Sequence, residues 1–132
     1  MPKKELIQID GVLAHGPNVP HGVKVGNLLF YSAIRPNRAD DSIADTPEQQ
    51  AEDVFENLRK LLAGHGATYA DVIKVQVFVT DMANVRPMNQ VWYRHFPSET
   101  NPTARIVIGV QALPHRALMS LDVIAQMPGS SA

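Results

Sequence analysis

Apolar and polar positions alternate with two different periods along this chain. Residues 46–63 carry the helical period: Ala51, Val54, Phe55, Leu58, Leu61 and Leu62 fall on one face. Thr46-Pro47-Glu48-Gln49 before them reads as a capping box, with Pro47 at the first helical position, where its missing N–H costs nothing. Gly64 and Gly66 end the helix. A shorter helix is expected over about 84–96, with Val85, Met88, Trp92 and Phe96 on one side and Pro87 confined to its first turn. The remaining apolar runs have the period of two that marks strands. Residues 23–25 and 28–32 flank Gly26-Asn27 and predict a hairpin. Residues 72–80 place Ile73, Val75, Val77 and Val79 opposite Lys74, Gln76 and Phe78. Residues 105–110 place Ile106, Ile108 and Val110 opposite Arg105, Val107 and Gly109. Residues 118–127 place Met119, Leu121, Val123, Ala125 and Met127 opposite Leu118, Ser120, Asp122, Ile124 and Gln126.

Three strands thus share one purely apolar face, which two amphipathic helices can cover. The mixed face holds Lys74, Gln76, Phe78, Arg105, Val107, Ser120, Asp122 and Ile124. That mixture suits either an oligomer interface containing a polar site or a solvated sheet face with scattered hydrophobes. Residues 35–45 are polar and read as a loop, and the tail 128–132 is expected to fray. Nothing divides the chain, so residues 1–132 form one expected α+β domain.

Composition narrows the function classes. Twelve basic against thirteen acidic residues give a net charge of −1, which offers nucleic acid no electrostatic attraction. The chain has no cysteine, which excludes disulfides, thiolate metal sites and a cysteine nucleophile. No apolar run approaches the ~20 residues of a membrane span, and the N-terminus lacks the apolar core of a signal peptide, so a cytoplasmic location is expected. The histidines at 15, 21, 65, 95 and 115 form no pair at ligand spacing, so neither metal nor cofactor is expected. His65 follows the helix end as a capping residue, and His21 and His115 read as loop and turn residues.

Several ordered segments resemble the RidA (YjgF) family. Gly22-Val23-Lys24-Val25-Gly26-Asn27-Leu28-Leu29-Phe30-Tyr31-Ser32 is similar to its first signature. Asn57-Leu58 resembles part of its helix motif, and residues 72–82 resemble its central strand. Met88-Asn89 and Ala104-Arg105, the latter followed by an alternating strand and Leu113-Pro114, complete the match across residues 15–127. The resemblance implies a chorismate-mutase-like (bacillus type) fold: a mixed sheet with two helices on one face. It also implies a homotrimer with clefts at the subunit interfaces and a small carboxylate metabolite as ligand. The activity it implies is hydrolysis of reactive enamines or imines, releasing ammonia and a 2-oxo acid, with aminomuconate-type diacids in other branches. Some members are described as ribonucleases or translation inhibitors, a reading the acidic balance opposes.

Carried over residue by residue, the resemblance makes Arg105 the carboxylate-binding arginine, through two parallel hydrogen bonds from its guanidinium. Ser32 matches a serine at the end of the first hairpin, where a hydroxyl can orient water or substrate. Three departures stand beside these matches. Ala33-Ile34 replaces the usual Gly-Gln, which leaves Ile34 to line the cleft. Asn18 stands where the family has an aromatic wall, and Asn18 and His21 are the candidates to replace it. Ser120 stands where deaminating members carry a water-activating glutamate, and a serine cannot accept a proton as a carboxylate does. Asp122, about 6.6 Å further along the same strand face, is the substitute base, or else pairs with Lys74 or Arg105. A binding protein without catalysis is the rival reading.

Overall fold

The computed structural model describes residues 3–96 and 99–129; the expected fraying of residues 130–132 lies outside them. Six strands form one mixed sheet in the order β1-β2-β3-β6-β4-β5. They are β1 (Lys4–Ile7), β2 (Gly22–Val25), β3 (Leu28–Ile34), β4 (Val72–Val79), β5 (Ala104–Gly109) and β6 (Met119–Gln126), and two helices, α1 (Pro47–Ala63) and α2 (Val85–His95), cover one face. Among the described residues only the β4–β5 pairing is parallel; the other four are antiparallel.

The strongest sequence signals fold as read. All six apolar positions of α1 are buried, as are Met119, Leu121, Val123 and Ala125 of β6. Each such Leu, Val or Phe contributes about 1.5–3 kcal/mol by leaving water. The Thr46 hydroxyl accepts from the Gln49 N–H at 3.2 Å, but the Gln49 side chain turns to Asp53 at 3.1 Å, so half of the capping box forms. The hairpin turns on Gly26 at φ 57°, and at Gly22 a Cβ would stand 1.9 Å from the Phe30 carbonyl oxygen. β1 is an addition: Lys4-Glu5-Leu6-Ile7 is too short and polar to announce a strand, and it forms by pairing with β2.

Two expectations about faces are corrected. A register shift between Val72 and Lys74 turns Val72 into the core at 3% exposure and leaves Ile73 outside at 40%. More consequential is β5. Its register sets Arg105 beside Val75 and Val107 beside Val77, so both project toward the helices. Ile106 and Ile108 lie instead beside Gln76 and Phe78, on the uncovered face. Alternation shows which residues share a face but not which face the helices take. On an edge strand, where neither face is deeply buried, both choices look alike in sequence.

Candidate functional site

β3 and β6 bring two expected site residues together. Ser32 and Asp122 lie on the uncovered face, and the Ser32 hydroxyl donates to the Asp122 carboxylate. β6 places Asp122 beside Gln76 of β4, and Ser120 beside Phe78. A hollow of about 240 Å³ opens over this row, lined by Phe30, Ser32, Lys74, Gln76, Asp122 and Ile124 among others. Ser120 shares the strand face, as expected, but it is only 4% exposed and does not line the hollow. Asp122 therefore holds the accessible carboxylate, with its hydrogen bond from Ser32. No ion pair to Lys74 or Arg105 forms among the described residues.

Arg105 occupies a second place. Its Nη1 donates to Asn89 Oδ1 at 2.6 Å and sits 3.9 Å from Met88 Sδ, while the guanidinium carbon stands 5.0 Å from the Trp92 ring centre. Asn89 and Trp92 thus fix the half-buried fork from α2 by a hydrogen bond and a cation–π contact. A guanidinium has five N–H donors, which leaves the remaining edge of the fork available to a carboxylate. Within one chain Arg105 and the Ser32–Asp122 pair stand on opposite faces of the sheet, with β4 between their strands.

The loops around β3 are set by buried polar side chains. His21, 1% exposed, accepts the Ile9 N–H at Nδ1 (3.0 Å), so its Nε2 carries the proton and donates to the Leu13 carbonyl (2.9 Å). It is a brace for the preceding loop, not a cleft residue. Asn18 is exposed at φ 64°. Ile34, expected to line the cleft, is 2% exposed with its side chain in the core, which leaves only its main chain for a ligand. His65 caps α1 as expected, its Nδ1 lying 3.2 Å from the Leu61 carbonyl and 2.9 Å from the Tyr31 hydroxyl. Burial raises the Tyr31 hydroxyl well above the usual phenol range.

Asn57 has a part that sequence reading missed. Its Nδ2 donates to the carbonyls of Arg35 (2.7 Å) and Asn37 (2.9 Å), pinning the chain that leaves β3 onto α1. Gln50 does the same further on, donating to the Ala44 carbonyl (2.9 Å) and accepting from the Leu118 N–H (2.9 Å). A polar residue recurring on a helix's buried face was the available signal, without its partners. Replacing Asn57 with Leu should lower stability by roughly 2–6 kcal/mol, since two carbonyls lose their donor and each orphaned group costs about 1–3. Urea unfolding measures this; an unchanged midpoint would mean that water replaces the amide.

Fold and site together define a two-layer α+β domain that offers a clamped arginine at one sheet edge and a serine–carboxylate pair on its open face. The chain belongs to the family described as endoribonuclease L-PSP, whose model matches residues 10–127; this is the RidA (YjgF) family. Curated relatives include the mitochondrial protein MMF1 of Saccharomyces cerevisiae, 32% identical over 104 residues, covering 78% of this chain and 70% of that protein. Another is the chloroplastic Reactive Intermediate Deaminase A of Arabidopsis thaliana, 27% identical over 127 residues, covering 95% and 67%. Among solved structures, RidA from the Antarctic bacterium Psychrobacter sp. PAMC 21119 superposes with a TM-score of 0.83 at 29% identity, covering 92% of this chain and 98% of that one. Yeast Mmf1 superposes with a TM-score of 0.86 at 26% identity, covering 94% and 98%. No helix among the described residues is long and apolar enough to cross a membrane.

Proposed function

We propose that this protein hydrolyses reactive enamines or imines that carry a carboxylate, releasing ammonia and a 2-oxo acid. The observation that carries this reading is the Ser32–Asp122 pair lining an open hollow, and the relationship to a reactive intermediate deaminase supports it. Arg105, steadied by Asn89 and Trp92, takes the substrate carboxylate in a two-pronged contact and limits its motion. Solvent supplies a proton to the enamine carbon, which gives an iminium. Asp122, oriented by Ser32, accepts a proton from water as the water oxygen bonds to the iminium carbon. Proton transfer to nitrogen and collapse of the adduct release ammonia and leave the carbonyl, so one water is consumed for each ammonia freed. The preferred substrate is a further part of the proposal: the exposed Asn18, standing where the family has an aromatic wall, suits an acid larger than the smallest enamines, such as an aminomuconate-type diacid.

The separation of Arg105 from Asp122 by the sheet makes a homotrimer part of the same proposal. One chain's β5 edge would meet the next chain's hollow, so that each cleft draws Arg105 and Asp122 from different subunits. The half-exposed Ile106, 48% accessible, and the adjacent Ile108 and Phe78 are the apolar surface such an assembly would cover. Light scattering should give three times the chain mass at micromolar concentration, and a stable monomer would remove the interface cleft. Subunit mixing tests the shared site. Impaired Arg105→Lys and Asp122→Asn preparations, unfolded and refolded together, should regain activity at subsaturating substrate because some clefts then hold both wild-type residues. No recovery in a verified mixed assembly would place both residues in separate roles. A cytoplasmic location is likewise proposed, although two relatives are designated mitochondrial and chloroplastic.

A carboxylate-binding protein without catalysis is the second reading. It is favoured by the buried Ser120, which offers no acid or base where deaminating members of the family carry a glutamate. Ammonia release above the uncatalysed rate from an enamine or imine of a dicarboxylic acid, with 2-aminoacrylate as the small comparison substrate, separates the two.

A further inference from the structure

A hollow of about 330 Å³, separate from the one over Asp122, opens beside Ala33, the residue that follows Ser32. Its wall is His15, Val19, Ala33, Arg35, Pro114 and His115. Val19, Ala33 and Pro114 give an apolar floor, and the polar groups are one guanidinium and two imidazoles.

Arg35 is the unusual member. Its guanidinium is half-buried, and its hydrogen-bonding partner is the His15 ring: Nη2 donates to Nδ1 at 3.1 Å. A guanidinium can only donate, so His15 Nδ1 holds a lone pair and the ring is neutral in this arrangement. Burial and the neighbouring Arg35 both lower the His15 pKa, in keeping with that form, while a hydrogen bond to the Ser32 backbone raises it. Burial lowers the Arg35 pKa as well. Among the described residues Arg35 makes no ion pair. Asp41 acts on it at longer range, its carboxylate engaged by Asn37 Nδ2 (3.2 Å) and His115 Nδ1 (3.5 Å). A partly desolvated cation held without a carboxylate in contact is a costly arrangement, and an anion entering the hollow would relieve it. The chain holds Arg35 there firmly, since Asn57 pins its carbonyl.

We infer that Arg35, with His115 at the rim, forms a second anion subsite, and that the substrate carries a second carboxylate in addition to the one Arg105 takes. This deepens the proposed function and rests on it for the first carboxylate. The floor of Val19, Ala33 and Pro114 would take the carbon chain between the two acidic ends. His15 acts as a positioning residue, accepting from the Arg35 fork through Nδ1.

The test uses two probes of one chemistry, 2-oxobutanoate with one carboxylate and 2-oxoglutarate with two. Calorimetry on the wild type should show 2-oxoglutarate binding at least tenfold tighter. Arg35→Gln should abolish that advantage and leave 2-oxobutanoate binding unchanged. The imidazole signals of His15 and His115 in nitrogen-15 NMR should move with the diacid and not with the monoacid. His115→Gly, which suits the φ of 59° at this position, should reduce the diacid advantage by about threefold and serves if Arg35→Gln does not fold. Equal affinity for the two acids, no binding of either, or histidine signals that stay in place with the diacid would overturn the subsite. The outcomes also separate it from the Arg105 reading. If Arg105→Lys leaves monoacid binding intact while the diacid still moves both histidines, the subsite holds and Arg105 is not the anchor. If Arg105→Lys weakens both acids and the diacid gains nothing from Arg35, Arg105 is the anchor and the subsite is overturned.

Discussion

Asp122→Asn should reduce turnover of an enamine substrate by about 10²–10⁴-fold, the range that general-base assistance supplies. The asparagine keeps the size of the side chain and can still accept from the Ser32 hydroxyl, but it cannot take a proton from water. The loss should therefore fall on kcat, with substrate affinity little changed, because Arg105 holds the carboxylate independently. Ser32→Ala should give a smaller loss in the same parameter, since it removes the hydroxyl that orients the carboxylate and leaves the base itself. Steady-state ammonia release, with the assembly state checked by light scattering, measures both. Turnover unchanged in Asp122→Asn would mean that the Ser32–Asp122 contact is only a cross-strand hydrogen bond, and would strengthen the reading of a binding protein.

The second large effect is expected at Arg105. Lysine there keeps the charge but replaces the planar fork with a point donor, which loses the second parallel hydrogen bond and the stacking on Trp92. Charge-assisted hydrogen bonds contribute about 1.5–3 kcal/mol, so carboxylate affinity should fall roughly 10–150-fold. Asn89→Ala probes the same interaction from the side. It removes the 2.6 Å contact that fixes one edge of the fork without touching the charge, so affinity should fall less than in Arg105→Lys. Calorimetry with a 2-oxo acid reads both variants. Equal affinity in the wild type and Arg105→Lys would make the arginine a structural partner of α2.

Part of the fold is legible in the linear pattern and part is not. α1 was legible because seventeen residues repeat the helical period behind a proline at the first position. A single face of that length can bury itself in only one way. β6 was legible for the same reason at period two, since its alternation spans eight residues in the sheet interior, where the helix side and the open side differ sharply in burial. The family match at Ser32 and Arg105 was likewise readable, because short motifs at consistent spacing survive in the sequence. β1 was not readable: a strand of four residues, three of them exposed, exists through its pairing with β2 and has little pattern of its own.

The candidate site divides along the same line. The sequence by itself determined an α+β chain with two amphipathic helices, an alternating set of strands, and the identities of Arg105, Ser32 and Asp122 as its polar candidates. Tertiary structure decided which of them meet. The register of the edge strand β5 turned Arg105 toward α2 and away from Asp122, and the break in register between Tyr31 and Ile34 sent Ile34 into the core while Ser32 reached across to β6. Folding also made Asn57 a brace and left Arg35 facing a hollow. The physical reason is that side-chain period is a local property of the backbone. Strand register and the choice of covered face are set by contacts between segments far apart in the chain, and no local pattern records them.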